Sequence, residues 1–157
     1  MNIRPAIASD CAVILKFIRE LAEFEKLAHE VVADEAGLKK TLFDEDNGTE
    51  AVIAELNGEA VGYALFFKSY STFLARPGIY LEDLYVNPKF RSQGVGEAML
   101  KYLANICLER NYGRLEWSVL DWNERAIKFY RKVGAVGMNE WTVQRMDVDA
   151  LQKFVAR

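Results

Sequence analysis

The sequence predicts a mixed α/β domain, and this prediction rests on three observations. Segments rich in β-forming residues alternate with segments whose apolar residues recur every three or four positions. Two strand-like runs, 50–56 and 60–67, are joined at Asn57-Gly58, which is a strong hairpin signal. A chain of 157 residues, 51% hydrophobic and 27% charged, suits one folded domain, 1–157. We therefore expect a mixed sheet flanked by helices.

The N-terminal part is predicted to supply one strand and two helices. Residues 2–5 suit an edge strand, which proline ends. Ser9 or Asp10 can cap the next helix, and Asp34 can cap a shorter one that runs through Leu42. The buried face of the first helix is marked by apolar residues at helical spacing. These residues are Cys11, Ile14, Leu15, Ile18, Leu21 and Ala22.

Residues 78–110 join a strand, a glycine-containing linker and a helix. The run 79–86 is rich in β-formers, and Asn87-Pro88 ends it. From Glu97 onward, apolar residues at helical spacing predict a long helix. The polar and aromatic segment 69–77, which precedes this stretch, is expected to be a loop.

The C-terminal part is predicted to add further strands and helices. Residues 114–120 alternate in polarity like a half-buried strand. Asn123 can cap a helix that Gly134 ends. Residues 136–138 and 142–146 are the last strand candidates, and 149–155 suit a terminal helix.

Composition narrows the functional class. The net charge is -3, so the chain lacks the basic excess of a nucleic-acid-binding protein, and the mild acidity suits a cationic small molecule. No apolar run reaches the roughly 20 residues of a membrane span, which favours a cytoplasmic protein. Cys11 and Cys107 lie on apolar helix stripes and are expected to be reduced thiols. His29 is the single histidine, so no metal site is expected.

The linker between strand and helix reads Arg91-Ser92-Gln93-Gly94-Val95-Gly96. Two glycines one residue apart allow a tight turn and close approach of a ligand. The helix that follows offers unpaired N–H groups and the positive end of its dipole, which suit a phosphate. Taken alone, this fragment is equally compatible with an ordinary loop.

The longer pattern is more specific. Arg-x-x-Gly-x-Gly after a strand ending in Val-x-Pro resembles the acetyl-coenzyme A site of the GCN5-related N-acetyltransferases (GNAT). The runs Y-L-E-D-L-Y-V, E-F-E and D-W-N-E-R-A-I-K-F-Y-R-K-V-G-A are similar to the spermidine/spermine N-acetyltransferase branch, and they extend the resemblance over nearly the whole chain. It implies the GNAT fold, a twisted, mostly antiparallel sheet in which a splayed pair of strands holds acetyl-CoA. It also implies a homodimer, with Trp141, Val143 and Met146 available for the contact.

The resemblance assigns the coenzyme to three groups of residues. Strand amides would pair with the pantetheine arm, the linker and helix start would hold the pyrophosphate, and the late helix would add further contacts. The assigned residues are Leu84, Tyr85, Val86, Arg91, Ser92, Gln93, Gly94, Val95, Gly96, Glu97, Asn123, Ala126 and Tyr130.

Acyl transfer to a primary amine needs a base, because deprotonating the amine at neutral pH costs about 4 kcal/mol. Glu82 and Asp83 interrupt an apolar strand, where adjacent side chains point to opposite faces. Ion pairs with Arg91 or Arg114 are one explanation for them. The resemblance offers another, in which Glu82 is the base and acts through ordered water. It also makes Tyr130 the acid for the leaving thiolate, although spacing alone would place that tyrosine in a core.

The resemblance further implies that Phe24, Glu25, Glu82 and Asp83 bind the substrate, a small cationic amine. It therefore predicts an acetyl-CoA-dependent N-acetyltransferase that works by direct attack, on a polyamine or diamine. Phe24 stands where this branch often has tyrosine, so a lysine-like amino acid such as thialysine is the rival substrate. A non-catalytic acyl-CoA sensor on the same fold is the alternative from another functional class.

Overall fold

The computed structural model describes every residue from Met1 to Arg157. The chain divides into two compact units, Met1–Ser118 and Val119–Arg157. The first unit contains the strands β1 (Asn2–Pro5), β2 (Thr49–Leu56), β3 (Glu59–Ser71), β4 (Arg76–Val86) and β5 (Leu115–Trp117), and the helices α1 (Cys11–Phe24), α2 (Glu35–Lys39) and α3 (Val95–Glu109). The second unit contains α4 (Glu124–Lys132) and α5 (Val148–Val155). None of these helices has the length and apolar character of a membrane span.

The strands form one sheet in the order β1-β2-β3-β4-β5. The first four are antiparallel, and β5 runs parallel to β4. The β2–β3 hairpin turns at Asn57 and Gly58, whose φ angles of 52° and 80° are the left-handed values that a two-residue hairpin turn requires. The predicted mixed, mostly antiparallel sheet flanked by helices is thereby confirmed.

Strand β4 has two neighbours along only part of its length. Its pairing with β5 covers Ile79 to Leu81, whereas its pairing with β3 continues to Val86. The segment from Leu84 to Val86 therefore has a strand on one side and an open edge on the other. This is the geometry expected of two strands that splay apart.

A bulge interrupts β4 at the carboxylates. Leu81 lies opposite Phe66 and Asp83 lies opposite Leu65, so Glu82 is an extra residue in the β3–β4 ladder. A bulge bends the strand locally and redirects its side chains. The expected strict alternation of Glu82 and Asp83 between opposite faces therefore does not hold at this point.

Helices α1 and α3 cover opposite faces of the sheet. Phe17 of α1 stacks on Tyr63 at 5.9 Å between ring centroids and contacts Tyr85 at 5.4 Å. Gly62 precedes Tyr63 and so faces the other side, where Met99 of α3 lies against it. Because α1 packs on the face of the sheet that carries Tyr63 and Tyr85, the β4 side chains on that face point toward α1.

Several predicted boundaries need correction. The segment 69–77 is not a loop, because β3 and β4 pair out to Ser71 and Arg76 and leave only a four-residue turn. The strand predicted at 114–120 is reduced to Leu115–Trp117. The segments 136–138 and 142–146 are not strands, since β-forming composition without a hydrogen-bonded neighbour does not make one.

The capping predictions differ in outcome. Asp34 caps α2 by accepting from Gly37 N at 2.7 Å, and Asn123 caps α4 by accepting from Ala126 N at 3.3 Å. Asp10 stands at the start of α1 but does not cap it. Its carboxylate instead accepts from Ile7 N and pairs with the Arg4 guanidinium, both at 2.8 Å.

Candidate active site

Three carboxylates surround a buried tyrosine where α1 ends beside the β4 bulge. Tyr63 is fully buried, and its hydroxyl donates to Asp83 Oδ2 at 2.5 Å. Glu25 is the C-cap residue of α1. Burial raises the pKa of Tyr63, and the charges of Asp83, Glu25 and Glu82 raise it further. The structure therefore brings three of the four predicted substrate residues together around a tyrosine.

Both Asp83 and Glu25 are held in an environment unfavourable to their charge. Burial raises the pKa of Asp83, and the hydrogen bond from Tyr63 offsets part of this effect. Burial also raises the pKa of Glu25, and repulsion from Asp83 adds to it. No cationic side chain is among the groups that shift either pKa. The pair thus lacks a counter-ion from the protein.

The arginines considered as partners for the strand carboxylates are engaged elsewhere. Arg114 Nε pairs with Glu116 at 2.9 Å. Arg91 Nε donates to Val86 O at 3.1 Å, and its guanidinium lies 5.0 Å from the centre of the Phe24 ring. Neither arginine is the counter-ion of Asp83. Arg91, predicted to contact the coenzyme, and Phe24, predicted to contact the substrate, are therefore direct neighbours.

An open groove of about 520 Å³ lies between the end of α1 and the end of β4. Its lining residues are Glu20, Glu23, Phe24, Tyr85, Asn87, Pro88 and Lys89. Tyr85 is buried and donates from its hydroxyl to Glu20 Oε2 at 2.6 Å. Burial and this carboxylate both raise the pKa of Tyr85. The groove therefore combines an aromatic wall with acidic side chains.

The linker before α3 adopts the backbone geometry of an anion-binding turn. Ser92 and Gly94 have φ angles of 67° and 78°, and α3 begins at Val95. A side chain added at Gly94 would meet no atom within 4 Å, so the turn is open on that side. The first N–H groups of α3 have no carbonyl partner within the helix and carry the positive end of its dipole. These features fit a phosphate group.

The remaining predicted residues belong to the second unit. Asn123, Ala126 and Tyr130 are spaced three and four residues apart and so share one face of α4. Tyr130 packs against Phe129 with 5.6 Å between ring centroids. The coenzyme contacts and the acid role assigned to this face stay predictions. Across the chain, no group of three or more His, Cys, Asp or Glu side chains is placed to hold a metal ion.

Tyr63 is the residue of this cluster that sequence reasoning missed. In the sequence it is one aromatic residue in an apolar strand run, which is typical of a core position. Its hydroxyl reaches Asp83 only because Tyr63 pairs with Tyr85, two residues farther along β4 on the same face. A predicted register between β3 and β4, added to the β2–β3 hairpin at Asn57-Gly58, could have suggested that Tyr63 lies near Asp83.

Known proteins resemble this chain over almost its whole length. It is 39% identical over 166 residues to the thialysine N-epsilon-acetyltransferase of Bos taurus, covering 99% of this chain and 97% of the relative. It is 32% identical over 196 residues to an L-ornithine N5-acetyltransferase of Arabidopsis thaliana, covering 96% and 86%. An integron cassette protein from the mobile metagenome of V. cholerae has a similar structure, with a TM-score of 0.82, 25% identity and coverage of 99% and 98%.

The model of the acetyltransferase (GNAT) family matches residues 15–135. This region begins within α1 and includes the β4 bulge, the linker before α3 and all of α4. The chain therefore belongs to the GNAT family of acetyl-CoA-dependent N-acetyltransferases.

Proposed function

We propose that this enzyme transfers the acetyl group of acetyl-CoA to a terminal primary amine of a small diamino cation. The proposal rests on one observation above all, the partly buried pair Glu25 and Asp83, which no cationic side chain of the protein neutralises. Two carboxylates that are partly withdrawn from water and close enough to repel each other are costly unless a cation accompanies them. An alkylammonium group supplies that cation, and it would relieve the repulsion between the two carboxylates when it binds.

Two features of the first unit support a coenzyme site beside this pair. The open edge of β4 from Leu84 to Val86 leaves backbone groups for the pantetheine amides to pair with, as an added strand would. The turn at Ser92 to Gly94 and the start of α3 suit the pyrophosphate. Asp83 follows the bulge residue Glu82 directly and precedes the open edge of β4, so the bulge is a suitable place for the thioester.

The proposed chemistry is direct attack. Glu82, through a bound water, takes a proton from the substrate ammonium, and the freed nitrogen lone pair attacks the thioester carbonyl carbon. Backbone N–H groups of β4 stabilise the negative charge that develops on the carbonyl oxygen. The carbon–sulfur bond then breaks, and the sulfur takes a proton from Tyr130. The nitrogen loses its second proton to solvent water as the amide forms, and water reprotonates Tyr130. In this proposal Tyr130 is the acid and no acyl-enzyme is formed.

The similar proteins favour a diamino acid over a polyamine as the acceptor. The two relatives described above are named for acetylation of thialysine and of ornithine, each an amino acid with a second amine at the end of its side chain. The acidic groove beside Phe24 would accommodate the α-amino end of such a molecule. We therefore place thialysine and ornithine first, with the polyamines as the alternative.

Thiol release from acetyl-CoA, measured across a panel of amines, tests the proposal. We expect the highest kcat/KM with thialysine, ornithine or lysine, and lower values with putrescine, spermidine and spermine. A reversed order would establish the polyamine alternative. Coenzyme binding without amine-dependent thiol release from any acceptor would instead indicate a sensor.

Two substitutions test the assigned roles. We expect Glu82→Gln and Tyr130→Phe each to lower kcat by about 100-fold or more, the usual contribution of a general base or acid, while coenzyme affinity is retained. Glu59→Gln and Tyr70→Phe are matched controls, because both residues are exposed on β3. Full activity in both site variants would exclude these roles.

A further inference from the structure

The buried hydroxyl of Tyr63 has one hydrogen-bond partner, Asp83 Oδ2. The ring is already held by packing, since it stacks on Phe17 and belongs to the core cluster that includes Ile14 and Ile53. A phenylalanine would satisfy that packing equally well. The hydroxyl is therefore a polar group in the core whose visible contribution is to Asp83.

Asp83 depends on this hydrogen bond in two ways. An ionised carboxylate that is partly withdrawn from water needs donors, and Tyr63 is the donor that lowers the pKa of Asp83. The bond also fixes one carboxylate oxygen and so restricts the rotamer of Asp83. The titratable groups that interact electrostatically at this site, besides Asp83, are Glu25 at the end of α1, Glu82 on β4 and Tyr63 on β3.

We propose that Tyr63 is a positioning residue for amine recognition, which orients Asp83 toward Glu25 so that the two carboxylates form one site for an alkylammonium group. This inference rests on the proposed function and adds a residue that acts on the substrate through Asp83. Because Tyr63 donates to Oδ2 of Asp83, the other carboxylate oxygen remains able to accept from the ammonium. The site therefore favours cations that carry N–H donors. Tyr63 itself need not touch the substrate.

Steady-state kinetics of Tyr63→Phe test the role. We expect KM for the best amine to rise about tenfold, while kcat and KM for acetyl-CoA change less than threefold. The acidic limb of the kcat/KM profile should move to higher pH, because Asp83 without its donor is protonated more easily. Tyr80→Phe is the matched control, since it removes a tyrosine hydroxyl from the same strand as Asp83, where it is hydrogen-bonded to Ser118 Oγ at 2.8 Å.

A double-mutant cycle separates positioning from a purely structural effect. If Tyr63 acts through Asp83, Tyr63→Phe should change KM for the amine little once Asp83→Asn is present. An equal rise in both backgrounds, or a loss of kcat with KM unchanged, would overturn the proposal.

A titration without substrate keeps this inference distinct from the proposed function. The Asp83 carboxyl carbon, followed by NMR, should titrate at higher pH in Tyr63→Phe than in the wild type. An unchanged midpoint would refute the role of Tyr63 whatever the acceptor is. A shifted midpoint in an enzyme that acetylates no amine would leave the coupling intact and reject the proposed function alone.

Discussion

Glu25 and Asp83 show how single residues trade stability for binding. Each carboxylate is placed where burial opposes its charge, and Asp83 adds repulsion to Glu25. Such an arrangement weakens the folded protein in the absence of a ligand and strengthens attraction for a cation. Functional sites commonly carry a cost of this kind.

The cost at Asp83 predicts a stabilising substitution. The pKa of Asp83 is raised in the folded state, so the folded protein holds this proton more tightly than the unfolded chain. Ionisation of Asp83 therefore lowers the free energy of unfolding as the pH rises from the ordinary carboxyl pKa through the raised pKa of the folded state. We expect Asp83→Asn to raise Tm by about 2 to 4 °C at pH near 7, and by less at about pH 4, because the raised pKa lets the wild-type carboxyl lose its charge more readily as the pH falls.

Thermal unfolding of the wild type and Asp83→Asn at both pH values measures this difference. Asp46→Asn is the control, since it removes the same charge from an exposed turn. Equal melting temperatures at neutral pH would show that Asp83 is not under electrostatic stress.

Sequence patterns identified the residue types at the site but not all of their contacts. Glu82 and Asp83 could be singled out because carboxylates in an apolar strand need an explanation. Tyr63 could not, because an aromatic residue in a strand is an ordinary core residue until the strand register is known. The engagement of Arg91 with Phe24 likewise depends on tertiary packing between α1 and the linker.

Among the elements, β5 is held against β4 by a very short parallel pairing. Ile79 N, at the start of the three paired residues, donates at 3.0 Å to the carbonyl oxygen of Arg114, the residue before β5. Gly78 permits this approach, because a Cβ atom there would lie 2.6 Å from the same carbonyl oxygen. The start of the β4–β5 pairing therefore depends on one glycine.

We expect Gly78→Ala to lower the free energy of unfolding by about 2 kcal/mol, the cost of forcing extra volume against fixed backbone. Chemical denaturation measures this loss. Gly96→Ala is the control, because its Cβ would lie 3.8 Å from Val86, an ordinary contact, and it should change stability by no more than about 1 kcal/mol. Wild-type stability in Gly78→Ala would mean that β5 can move without cost.

The elements differed in how well local sequence determines them. The hairpin and the long helices follow from local turn chemistry and periodicity and appear as expected, whereas the helix predicted to run through Leu42 ends at Lys39 and continues as a π-helical turn, Lys40–Asp44. The β4 bulge and the short β5 depend on register with neighbouring strands, which no local pattern contains. The segments 136–138 and 142–146 have strand-like composition without a strand neighbour in this chain.

For the whole molecule, several large apolar side chains of the second unit are exposed. Trp141 and Val143 are each 76% exposed and Met146 is 47% exposed. Contiguous apolar exposure commonly marks an interaction surface. The GNAT family resemblance suggests a two-fold partner, in which the same surface is used twice.

We therefore expect the wild type to sediment as a dimer at micromolar concentration, and Trp141→Glu to shift it toward a monomer. A charge buried in an apolar contact loses its hydration without gaining a partner, which opposes association. Sedimentation velocity over a range of concentrations measures the shift.

Val32→Glu is the control, because Val32 is 94% exposed in the first unit and is not expected at the contact. A wild-type protein that remains monomeric throughout the range would exclude the dimer, and equal dissociation by both variants would show that the contact does not involve Trp141.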